Sequence, residues 1–213
     1  MRTLAGLACA LAAPALLIPA TCAMAQGKGG AGDGYGQRFA AECAACHGAD
    51  GRSEIPGTPI LAGQHSYYAV TQLFLFREGR RSNEAMTAVA KTMKDEDLRG
   101  FSDFIGTLPP APATPPAAPL DAARMSRGKE LAQAQKCLFC HGPDLNGGQQ
   151  VPRIAGQREE YLRDSLQGFR TGKRIGYTPA MLEPLRGLSA EDVDTLAYFV
   201  AHFTGAPKEG AGN

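Results

Sequence analysis

The segment CAACHGADG, residues 43–51, recurs as CLFCHGPDL from residue 137. This recurrence constrains the fold more than any other feature, because the surrounding sequence recurs with it. PILAGQ (59–64) matches PRIAGQ (152–157), and FREGRR (76–81) matches FRTGKR (169–174). MTAVAKTMKDEDLRGFSDFI (86–105) matches MLEPLRGLSAEDVDTLAYFV (181–200). The period is about 94 residues, too long for a solenoid unit and long enough for a small domain. Residues 107–121, TLPPAPATPPAAPLD, hold six prolines. They read as a semi-rigid linker that no continuous helix can cross. The expected layout is an N-terminal unit over 26–106, the linker over 107–121, a C-terminal unit over 122–206 and a flexible tail over 207–213.

Residues 1–25 read as a secretory signal peptide. Arg2 supplies the positive start, residues 4–20 the apolar run, and Ala23-Met24-Ala25 the cleavage site. Pro14 and Pro19 interrupt the run, which is also short for a membrane span. Of the six cysteines, Cys9 and Cys22 leave with this segment, and the other four lie in the two motifs. No disulfide framework remains. Without Arg2 the chain balances 21 basic against 21 acidic residues. Such a surface has no field to recruit nucleic acid.

Both units read as helical. Leu98, Phe101, Phe104 and Ile105 share one helix face, as do Val193, Leu196, Phe199 and Val200. Acidic residues 95–97 and 191–192 sit in the first turn, where the helix dipole favours them, and Ser189 is a candidate N-cap. Tyr68, Leu73 and Phe76, paralleled by Tyr161, Leu166 and Phe169, predict a further helix before each FRxG turn. Another should lead into each cysteine motif, over 35–42 and 127–136. No alternating strand is evident, so the expected class is all-α. A unit of about 80 residues has a core worth only a few kcal/mol. A large apolar group held covalently inside would add the missing buried surface.

The motif itself names that group. Cys-x-x-Cys-His is the pattern of covalent haem c attachment. Each thiol forms a thioether, and the adjacent imidazole becomes the proximal iron ligand. Cys43, Cys46 and His47 would hold one haem; Cys137, Cys140 and His141 would hold a second. Zinc needs four ligands in one place, and here a linker and a whole unit part the two motifs. A thioredoxin-like pair needs a βαβ context that is absent.

The sixth ligand decides between electron transfer and chemistry on a small molecule. Aligning DEDL (95–98) with AEDV (190–193) places Met86 on Met181 and Met93 on Leu188. His47 to Met86 is 39 residues, and His141 to Met181 is 40. Met86 and Met181 are therefore the expected distal ligands. Met93 is the competing thioether in the first unit, with a core role as its other reading. Met125 precedes the second motif's helix and has no counterpart. His65, opposite Arg158, reads as a surface residue, and His202 as structural or exposed. The carbonyls of Pro59 and Pro152 are candidates to accept the proximal imidazole N–H, with loop stiffening as the alternative. Arg77 and Arg170 are candidates for the haem propionates, with solvated helix ends as the alternative. An iron saturated by His and Met favours a carrier over a peroxidase-like catalyst, which needs an open position.

Taken together, C-x-x-C-H-G, L-A-G-Q, the Y…F-R-x-G-x-R block and the M…E-D block, each present twice, resemble the di-haem cytochrome c4 family of bacterial periplasmic proteins. The resemblance spans nearly all of residues 35–205. It implies two tandem class I cytochrome c domains packed with their haem propionates facing each other, and two covalent haem c groups. It further implies an electron carrier, not an enzyme, located in the periplasm and peripherally associated with membrane complexes. The partners it implies are redox proteins: a quinol-linked complex, a terminal oxidase or a dehydrogenase. A cytochrome subunit of a flavin- or quinone-linked dehydrogenase complex, such as one oxidising sulfide, is the alternative. The loops after the motifs, HGADGRSEIPGTP and HGPDLNGGQQVP, differ between the halves.

Overall fold

The computed structural model describes residues 31–110, 115–116, 118–174 and 179–205. The segment read as a signal peptide (1–25), the tail over 207–213 and part of the linker lie outside them. Among the described residues there is no strand, only an isolated antiparallel bridge between Gly148 and Val151. The N-terminal half contains α1 (Ala31–Glu42), α2 (Ala44–His47), α3 (Ser66–Arg77), α4 (Glu84–Ala90) and α5 (Asp95–Thr107). The C-terminal half contains α6 (Ala122–Ala134), α7 (Cys137–His141), α8 (Glu159–Arg170), α9 (Pro179–Leu182), a 3₁₀ turn (Glu183–Leu185) and α10 (Ala190–Ala201). No described helix is long and apolar enough to cross a membrane.

The same frame is built twice. In the N-terminal half α5 packs on α1 and α3; in the C-terminal half α10 packs on α6 and α8. The expected apolar faces are the ones buried. Leu98, Phe101 and Ile105 join Phe39, Leu73 and Phe76 in one core. Leu196, Phe199 and Val200 join Leu131, Leu162 and Phe169 in the other. Close approach of α6 and α10 depends on Gly128, where an added Cβ would run into Phe199. Met125 lies inside α6 rather than before the motif's helix, and packs against the C-terminal core.

Helix starts follow from capping chemistry. Ser189 Oγ accepts from Asp192 N–H at 3.0 Å, and Asp192 accepts from Ser189 N–H at 3.2 Å, forming a capping box. Asn83 caps α4 by accepting from Met86 N–H at 2.9 Å, and Asp121 caps α6 by accepting from Arg124 N–H at 3.0 Å. The linker is anchored at both ends. Gly63, at φ 74°, donates to Leu108 O and lies so close to Pro110 that a Cβ would come within 2.6 Å of its Cα. The Asp121 N–H donates to Tyr198 Oη at 2.9 Å.

Candidate haem sites and the interface between them

The two cysteine motifs are short helices built alike. Each ends on a glycine with φ 77°, Gly48 or Gly142, which turns the chain directly after the histidine. Both histidines are buried, and burial pushes each imidazole below its usual pKa. His47 Nδ1 lies 3.0 Å from Pro59 O, and His141 Nδ1 lies 3.0 Å from Pro152 O. A carbonyl can only accept, so Nδ1 carries the hydrogen in both rings. The Nε2 lone pair is thereby left for a metal. The proline carbonyls thus take the role expected of them.

Cys46 and Cys140 are exposed, while Cys43 and Cys137 are half-buried. Burial raises the Cys43 thiol to about 11 and raises the Cys137 thiol as well. Low-pKa redox thiols show the opposite shift. Met86 is on α4 at the edge of the N-terminal core, and Met181 is on α9 at the edge of the C-terminal core. Met93 is buried within the N-terminal core, 7% exposed, as its core reading requires.

The resemblance implied that the two halves face each other, and the side chains that join them form a pseudo-two-fold interface. Gln157 Oε1 accepts from Ile60 N–H at 2.8 Å, and its Nε2 donates to Ile60 O at 2.9 Å. Gln64 repeats this on Arg153: its Oε1 accepts from the backbone N–H and its Nε2 donates to the carbonyl, both at 3.0 Å. His65 is half-buried at the edge of this interface. Its Nε2 lies 2.8 Å from Asn146 O, while Arg158, its counterpart, donates to Ser53 O at 3.0 Å.

The arginine expectation also changes. Arg77 binds Asp95 at 2.8 Å and Glu78 at 2.9 Å, and Arg170 donates to Gln167 at 2.8 Å. Arg77 thereby ties the end of α3 to the start of α5, and Arg170 stays within the last turn of α8. The second arginines of the repeated blocks reach the interface instead. Arg81 donates to Tyr161 Oη at 3.0 Å and to Gln72 Oε1 at 2.7 Å; Arg174 donates to Tyr68 Oη at 3.3 Å. Burial works to raise the Tyr161 phenol, but the Arg81 and Arg174 cations overcome it and hold its pKa at about 6. The Gln72 Nε2 is buried with no hydrogen-bond partner. No carboxylate among the described residues pairs with Arg81. A carboxylate-bearing group would pair with Arg81 and satisfy the orphaned amide together. Haem, which presents two propionates, fits this chemistry. Recurrence in both copies was the signal for Gln64, Gln157, Arg81 and Arg174.

Two helical units, each with a paired thiol motif and a buried imidazole whose Nε2 is free, define a tandem c-type haem protein. The comparisons agree. The cytochrome c family model matches residues 35–109 and 125–204. A cytochrome c4 from Thiocapsa roseopersicina is 35% identical over 70% of this chain and 78% of its own. A thiosulfate dehydrogenase electron acceptor from Stutzerimonas stutzeri is 32% identical over 88% of this chain and 91% of its own. The crystal structure of reduced recombinant cytochrome c4 from Pseudomonas stutzeri superposes with a TM-score of 0.72 at 26% identity, covering 81% of this chain and 98% of that one. The chain belongs to the cytochrome c family, in its di-haem cytochrome c4 branch. Its cofactors are two covalent haem c groups, one per cysteine pair, and it is an electron carrier rather than an enzyme.

Proposed function

We propose that the chain relays single electrons in the periplasm between respiratory-chain donors and a terminal oxidase or other acceptor. The proposed ligands are His47 with Met86 in the N-terminal domain (26–106) and His141 with Met181 in the C-terminal domain (122–206). The observation that carries the reading is the matched pair of histidines, each fixed at Nδ1 by a proline carbonyl and each followed by a methionine at one repeated position. Bound haem c supplies a one-electron ferric/ferrous couple. The residues do the rest. Pro59 and Pro152 hold the imidazoles in one tautomer and orientation. Met86 and Met181 would supply the second ligand of each iron and so leave no position open to oxygen or peroxide. Arg81 and Arg174, which reach the interface tyrosines, would hold the propionates. Export by the segment over 1–25 fits a cofactor attached outside the cytoplasm.

A second reading is favoured by one observation: a relative over nine-tenths covered is named an electron acceptor of thiosulfate dehydrogenase. The donor would then be a periplasmic dehydrogenase rather than a quinol-linked complex. The sites are the same in both readings.

The test is a haem count by mass spectrometry with an optical titration. Two haems and a c-type reduced spectrum are expected. In Met181→Ala, carbon monoxide should bind one of the two reduced haems, while the unaltered protein binds none. A haem count other than two, or no new carbon monoxide binding in the variant, would overturn the assignment.

A further inference from the structure

The interface glutamines touch more than a neighbouring loop. Pro59 C=O and Ile60 N–H belong to one peptide group. At one end this amide accepts from His47 Nδ1 at 3.0 Å; at the other it donates to Gln157 Oε1 at 2.8 Å. The Pro152–Arg153 amide does the same, accepting from His141 Nδ1 at 3.0 Å and donating to Gln64 Oε1 at 3.0 Å. Each proximal histidine is therefore the head of a short chain: imidazole N–H, peptide, glutamine of the opposite half. The two chains cross.

We propose that Gln157 tunes the N-terminal haem through His47, and Gln64 tunes the C-terminal haem through His141. They are positioning residues that act across the domain interface. The inference rests on the histidine ligation proposed above. Its physical basis is polarisation along linked hydrogen bonds. When the glutamine oxygen accepts from the amide N–H, electron density shifts toward the carbonyl oxygen, which becomes the stronger acceptor. The imidazole then gives up more of its Nδ1 hydrogen and becomes the more basic ligand at Nε2. A more basic ligand favours ferric over ferrous iron. The glutamine Nε2, bonded to the next carbonyl at 2.9 Å or 3.0 Å, fixes the amide so that Oε1 faces the N–H. The Gln157 chain is the more deeply buried, since its bonds to Ile60 are enclosed and those of Gln64 are partly exposed. The N-terminal haem is accordingly the more strongly tuned.

The arrangement also links the halves. A change in the interface alters the glutamine bond and reaches both imidazoles, so separating the domains would raise both potentials.

The experiment is spectroelectrochemistry on the full di-haem protein, with each haem assigned by NOEs from its methyl groups to residues of its own half. Gln157→Leu should favour the ferrous N-terminal haem by two- to tenfold in the reduced-to-oxidised ratio at fixed potential, a rise of up to about 59 mV for one electron. The C-terminal haem should move much less. Gln64→Leu should give the mirrored pattern with a smaller shift. Gln157→Glu, which keeps an acceptor for the Ile60 N–H, should restore most of the N-terminal potential; its carboxylate cannot donate to Ile60 O, so it remains less stable than the parent. Because the Glu charge also lowers the potential, the crossed pattern is the deciding readout: a merely structural glutamine would disturb the haem of its own half as much as the opposite one. Equal shifts at both haems, a shift confined to the glutamine's own half, or no shift would overturn the proposal. A haem count below two in the parent protein would instead defeat the underlying ligation.

Discussion

The loops that leave the two cysteine motifs perform one task with different residues. In the N-terminal half, Gly51 O accepts from Leu61 N–H at 2.8 Å and from Ala62 N–H at 3.1 Å. In the C-terminal half, Leu145 O accepts from Ile154 N–H at 2.9 Å and from Ala155 N–H at 3.1 Å. These bonds bring the proline carbonyls under the histidines. Both residues are left-handed, Gly51 at φ 74° and Leu145 at φ 54°. Glycine adopts this conformation without a Cβ clash, whereas a leucine there costs about 1–2 kcal/mol. Leu145 is nonetheless fully buried, and burying a leucine stabilises by about 1.5–3 kcal/mol, which offsets the strain. At Gly51 that space is taken. A Cβ would lie 2.8 Å from Leu108 Cδ1 and 2.9 Å from Ala62 N. One half fills the pocket from its loop, and the other from the end of its last long helix.

Exchanging these solutions should have the largest effect on stability. Leu145→Ala should destabilise the C-terminal half by about 3 kcal/mol through the cavity it leaves. Gly51→Ala should cost about 1–3 kcal/mol in the N-terminal half, since strain and contact with Ala62 add. Leu145→Gly separates the two contributions: it leaves the same cavity but relieves the left-handed strain. Denaturant titrations followed at each haem's own spectrum would report this. Leu145→Gly falling well below Leu145→Ala in stability would show that the strain at this position is negligible.

What could be read from the sequence divides along the same line. The helices were readable because their signals are local: the spacing of Leu98, Phe101 and Ile105, and the cap at Ser189. The proline carbonyls were readable because both copies retain them. The shared left-handed turn was hidden, because a leucine reaches it only through tertiary burial. His65 was hidden for another reason. Its counterpart Arg158 is chemically unlike it, yet each reaches a backbone carbonyl across the interface. Four repeated arginines offered no ranking by letter alone. The turn at Gly79, where Arg81 N–H donates to Leu75 O, carries Arg81 past the helix end, whereas Arg77 remains on it.

A second comparison concerns the two glutamines as structural groups. Gln157→Leu strands the N–H and the carbonyl of Ile60, which is 8% exposed. An unsatisfied buried polar group costs about 1–3 kcal/mol. Gln64→Leu frees the Arg153 amide in a partly exposed setting where water can replace the side chain. The expected losses are about 2 kcal/mol and about 1 kcal/mol. Equal losses in a chemical denaturation series would mean that water reaches both sites alike.

The smallest difference lies at the start of the two closing helices. Asp97 and Asp192 occupy equivalent positions in α5 and α10, and each accepts from a backbone N–H, of Lys94 at 3.0 Å and of Ser189 at 3.2 Å. Asp97 is held below the usual carboxylate range first by its hydrogen bond to Arg38 on α1, and then by the Lys94 amide. Asp192 is held down first by the Ser189 hydroxyl and amide, with Arg127 on α6 contributing less. Each folded pKa is below the unfolded value of about 3.9. The stabilisation is therefore fully present above that value and is lost as pH falls through the folded pKa. Asp97→Asn removes the charge that ties α5 to α1, while Asp192→Asn leaves the Ser189 cap able to bond its N3 amide. At pH 7 the expected costs are about 1 kcal/mol and about 0.5 kcal/mol. Both should shrink toward zero once pH has fallen below the lowered folded pKa, where the parent carboxylates are protonated. A cost for Asp97→Asn that persists unchanged at that pH would show that the Arg38 contact stabilises by shape rather than by charge.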